Sequence, residues 1–111
     1  MSTQEISEVK SFAQLVSEPA VSGDELVSTL EDYADIGAAI RGDVVLDLVG
    51  RTELTTTHLE SLHTAAIRGL TEQARNRLHS SPETVIKEQS EYAQVAGAVG
   101  LLLEAGSTGV A

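Results

Sequence analysis

There is no cysteine in the 111 residues, which excludes a disulfide framework, a thiol nucleophile and a cysteine-ligated zinc or iron–sulfur site. Positive charge is almost as scarce. Lysine and arginine number 7 against 17 aspartates and glutamates, for a formal charge of −10. Lys10, Lys87 and five scattered arginines cannot build the clustered cationic surface that phosphate binding needs, so nucleic acid is not an expected partner. No run approaches roughly 18 apolar residues, and the opening MSTQEISEVK is polar and acidic where a signal peptide needs a basic start and an apolar stretch. The expected location is therefore the cytoplasm, with no membrane contact. Hydrophobic residues make up 41% of the chain, which is enough for a core and too much for a disordered tail. The length suits one domain, expected over residues 1–106 with a flexible tail at 107–111.

Helix signals alternate with short apolar runs. Ser2 with Glu5 has capping-box spacing and is followed by Ile6, Val9, Ala13 and Val16 on one helical face, ending before Pro19. Ser22 with Glu25 repeats that spacing ahead of Leu26, Leu30, Tyr33, Ala34 and Gly37, and Gly42 is the expected stop. Val44 to Val49, VVLDLV, is rich in β-branched residues and bounded by Gly42 and Gly50, which predicts a strand. Thr57 with Glu60 predicts a helix with Leu59, Leu62, Ala66 and Leu70 on its face, continuing to Leu78. Thr84 to Ile86 reads as a second, brief strand, parallel to the first through that helix. Ser90 then caps a mostly apolar helix from Glu91 to about Ala105. Within it Ala93, Ala96, Gly97, Gly100 and Leu101 are the expected packing or self-association surface, because small residues let a neighbour approach closely.

Little in this pattern carries chemistry. His58 and His63 are five apart, which at roughly 100° per residue sets them about 140° apart around a helix, poor geometry for one metal ion; His79 is remote in sequence. Acid pairs such as Asp32 with Asp35 read as a solvated face. Asp47 is the one acid inside an apolar run and is expected at an exposed edge. The hydroxyls of RTELTTT are expected to cap the helix that follows. No GxSxG elbow, phosphate loop or GxGxxG fingerprint occurs.

Taken in order, SGDELVSTLEDYADIGAAI, DVVLDLVGRTEL, LESLHTAAIRGL and TVIKEQSEYAQVAGAVGLLLE resemble the C-terminal end of the ROK family of repressors, open reading frames and sugar kinases. The resemblance covers residues 22 to 105. It implies an α/β fold, a partial actin-like (ribonuclease H-like) lobe in the order helix, helix, strand, helix, strand, helix; an all-α bundle is the alternative. It also implies that Gly50 is the remnant of a nucleotide-holding loop, although the family's pair of glycines is here Val49 and Gly50. The family's phosphate-binding lobe, catalytic aspartate, sugar-binding motif and cysteine-rich zinc loop have no counterpart in the chain.

The expectation is accordingly a non-catalytic ROK-like fragment that needs no cofactor. It would work as a homo-oligomer or with a protein partner supplying the missing lobe. The alternative is an acidic helical protein-interaction module.

Overall fold

The computed structural model describes residues 11–75 and 81–110, and all the regular structure in them is helical. Among the described residues there are five helices: α1 (Phe12–Ser17), α2 (Gly23–Asp35), α3 (Gly42–Gly50), α4 (Thr56–Arg75) and α5 (Pro82–Val110). This overturns the expected α/β, actin-like lobe and its parallel strands, and agrees with the all-α alternative.

Val44 to Val49 lies inside α3 because its burial has a helical period. Gly42, Val45, Leu48 and Val49 face inward while Asp43, Asp47 and Gly50 face water, whereas a strand would bury alternate residues. A short apolar run bounded by glycines does not distinguish a strand from a buried helix, and β-branched side chains fit either when the burial is right. The second expected strand, Thr84 to Ile86, is the first turn of α5. Ser81 caps it, its Oγ accepting from the Thr84 amide at 3.2 Å, and Pro82 occupies the first helical position, where its missing N–H costs nothing. The helix then runs through Ser90 without a break and on through 107–110, the segment expected as a tail.

The helix starts are set by local side chains. Ser22 and Glu25 form the expected capping box, with bonds of 3.1 and 3.2 Å. Ser11 and Gln14 form another at α1, and the Ser2–Glu5 pair lies outside the described residues. α1 buries Phe12 and Leu15 and exposes Ala13 and Val16, so its inner face is offset from the expected one. At α4 the cap is Thr55 rather than Thr57: its Oγ1 accepts from the His58 amide at 3.2 Å, and the Thr55 amide donates to His58 Nδ1 at 3.0 Å. A histidine thus fills the place a glutamate usually takes in this motif.

Two residues beyond Asp35, α2 is closed off by Gly37, whose φ of +66° is the left-handed conformation that terminates a helix. The Ala38 amide reaches back to the Tyr33 carbonyl at 2.9 Å and the Gly37 amide to that of Ala34 at 3.1 Å. Gly42, the expected stop, begins α3 instead. The connection between them is held from outside by buried side chains. Gln73 of α4 donates to the Gly37 carbonyl and Tyr92 of α5 donates through its hydroxyl to that of Ala38, each at 2.5 Å.

α4 and α5 pack antiparallel, with Gly69 against the Tyr92 ring and His63 near Gly100. α2 lies along α4 in parallel, joined at one end by His58 to Asp24 (2.9 Å) and at the other by Arg68 to Asp35 (2.6 Å). Leu15, Leu26, Leu30, Val45, Leu48, Leu62, Tyr92, Val95 and Val99 are fully buried between these layers.

No side chain of its own end caps α3, since Arg41 makes no capping bond. The Gly42 amide instead donates to Glu91 Oε1 at 2.5 Å, so a carboxylate from α5 sits at the positive end of α3. Glu91→Ala is expected to cost about 1 kcal/mol in urea unfolding, as the loss of a cap does. Glu91→Gln, which keeps an acceptor oxygen, is expected to cost less than half of that, and equal losses would mean that charge alone matters.

Candidate binding cleft

One open cleft of about 600 Å³ lies where α1, the α2–α3 connection and the start of α5 meet. Its apolar walls come from Phe12, Ala13 and Val16 of α1, from Ala39 and Ile40, and from Val44 of α3. Tyr33, near the end of α2, closes one side; its ring lies 4.6 Å from that of Phe12, centroid to centroid, tilted by 44°. The Tyr33 hydroxyl accepts from the Phe12 amide at 3.3 Å and so ties α1 to α2. Two of the chain's three aromatic rings therefore stand at this one place.

Thr84, Lys87, Glu88 and Glu91 form the α5 side of the cleft, and Arg41 stands opposite on the connection. Most of these charges are compensated locally. Arg41 Nη2 lies 3.0 Å from Asp43 Oδ2, and Lys87 Nζ lies 3.7 Å from Glu91 Oε2. The other Glu91 oxygen holds the Gly42 amide. A Cβ at Gly42 would come within 2.6 Å of Gln94 Oε1, so the exposed Gln94 side chain would have to move aside for any larger residue. Behind the cleft Tyr92 is fully buried, and its phenol is pushed well above the ordinary tyrosine range by burial first, then by the nearby negative charge of Glu88.

The residues expected to matter lie elsewhere. Gly50 is the exposed last residue of α3, with open space where a side chain would project, and lines no part of the cleft. Asp47 is exposed and pairs with Arg51 at 3.5 Å. The five residues grouped on the last helix divide between two faces. Ala96 is buried in the core and Gly100 is half-buried near His63, while Ala93, Gly97 and Leu101 are exposed. Among the described residues no three histidines, aspartates or glutamates are placed to hold a metal ion. His58 serves the α4 cap and Asp24, His63 faces α5, and His79 lies outside the described residues.

The sequence placed Tyr33 only on the stripe of its helix and gave no site role to Phe12, Ile40, Arg41 or Glu88. The available signal was the stretch between Gly37 and Gly42, which is too short for an element of its own and so has to present side chains at a junction.

Compared with protein families, curated proteins and solved structures, the chain matches none of them. Among the described residues no helix is long and apolar enough to cross a membrane.

Proposed function

We propose that the chain is a non-catalytic, acidic helical binding module whose cleft accepts an apolar segment of a partner protein. One observation carries this reading: the apolar wall does not end inside the cleft but runs out to the surface through exposed Ala13, Val16 and Ala39. A small ligand would leave that rim uncovered, whereas an amphipathic helix laid in the groove covers rim and cleft together. The charge of −10 disfavours an acidic partner and speeds the approach of a basic one.

The test is a titration of the full chain with an amphipathic peptide of about 15 leucines and glutamines, long enough to form a helix. It is read by amide shifts in the two-dimensional nitrogen–proton spectrum. Shifts are expected at Ala13, Val16, Ala39 and Val44, with Ala13→Glu weakening binding at least about tenfold by placing a charge against the apolar wall. Absence of shifts at the cleft, or binding unchanged in Ala13→Glu, would overturn the reading.

A further inference from the structure

Of the four charged side chains lining the cleft, three are compensated by a partner on the protein: Arg41 by Asp43, and Lys87 and Glu91 by each other and by the Gly42 amide. Glu88 is the exception. It is half-buried and makes neither a hydrogen bond nor an ion pair with any described residue. A carboxylate against an apolar wall has lost part of its water and gained nothing in exchange. Covering it with a purely apolar segment would deepen that loss.

An anionic occupant fares worse, because it meets Glu88 and the field of the whole chain while the nearby cations are already paired. A cation on an apolar stem satisfies both halves of the site. Its methylenes would lie along an apolar lining that includes Val16 and Ile40, and its charge would meet Glu88 in the cleft that also holds the rings of Phe12 and Tyr33, a ring type that attracts cations. On the binding-module reading, on which this step rests, we infer that the cleft anchors a lysine side chain of the partner helix, its ammonium paired with Glu88.

Three peptides separate this inference from the reading beneath it. They share the leucine and glutamine helix and differ at one central position on the apolar face, which carries lysine, norleucine or glutamate. Norleucine keeps the stem and lacks the ammonium. The lysine peptide is expected to bind the full chain about fivefold more tightly than the norleucine peptide, with the glutamate peptide weakest. In Glu88→Gln the lysine advantage should vanish, and norleucine should bind more tightly than it does to the parent, since no carboxylate is left to lose its water. If lysine gains nothing over norleucine, or keeps its gain in Glu88→Gln, the inference fails and the module reading stands. If none of the three peptides shifts the cleft signals, both fail.

Discussion

Gly69→Ala is expected to destabilise the protein by about 1–3 kcal/mol, against the direction that helix propensity gives. Alanine in place of glycine inside a helix ordinarily gains up to about 1 kcal/mol. Gly69, however, is buried in α4 where α5 crosses it, and a methyl group there would overlap the Tyr92 ring. That ring cannot retreat, because it is fully buried and its hydroxyl is bound to the Ala38 carbonyl. Overlap with a fixed aromatic ring outweighs the entropy gained from the substitution. Gly97 is the internal control, since it is exposed on α5 with nothing near the position a side chain would take. Gly97→Ala should stabilise by up to about 1 kcal/mol. Urea unfolding of the two variants beside the parent measures both shifts, and a Gly69→Ala midpoint at or above the parent's would refute the close approach of α4 and α5.

The largest loss is expected at Tyr92. Tyr92→Ala should cost about 3–5 kcal/mol, since it empties the volume between α4 and α5 and leaves the Ala38 carbonyl without its partner. Tyr92→Phe keeps the ring and removes only the hydrogen bond, for about 1 kcal/mol. Burial also makes the phenol an alkaline weak point. Its folded pKa lies above the unfolded value of about 10, so its contribution to stability is complete below pH 10 and declines as the pH rises past it. The decline approaches about 1.4 kcal/mol per pH unit while the native phenol stays protonated. Denaturant midpoints between pH 8 and 11.5 should therefore fall more steeply for the parent than for Tyr92→Phe, and parallel curves would show that Tyr92 ionises freely in the folded state.

These residues also show how far the sequence could be read. Ser22 with Glu25 was legible because a capping box is a local arrangement, complete within four residues. The inner face of α4, with Leu62 and Ala66 fully buried, was legible from its spacing alone. Val44 to Val49 was misread because β-branched composition outweighed the spacing of Val45, Leu48 and Val49, which is the helical clue. Nothing local announces that Glu91 caps α3, 49 residues upstream, or that Gln73 and Tyr92 hold the α2–α3 connection. The cleft was illegible for the same reason: its walls come from four separate stretches of the chain, and each looks ordinary alone. A glycine within a helix reads as a weakness until the neighbouring ring is known, so Gly69 and Gly97 look alike in sequence and are opposite in the fold.

The cross-chain bonds to the α2–α3 connection also constrain how the molecule can be made. The ribosome delivers residues 37–42 early, yet the Gly37 carbonyl finds its partner only when residue 73 has emerged, and the Ala38 carbonyl and Gly42 amide only after residues 92 and 91. A growing chain that has produced α1 to α4 can form helical turns but has no means of finishing the junction between α2 and α3. That junction is laid down in residues 37–42 and completed only by residues 91 and 92 of the last described helix, so α1 to α4 released without α5 would not be a smaller stable domain but an incomplete one.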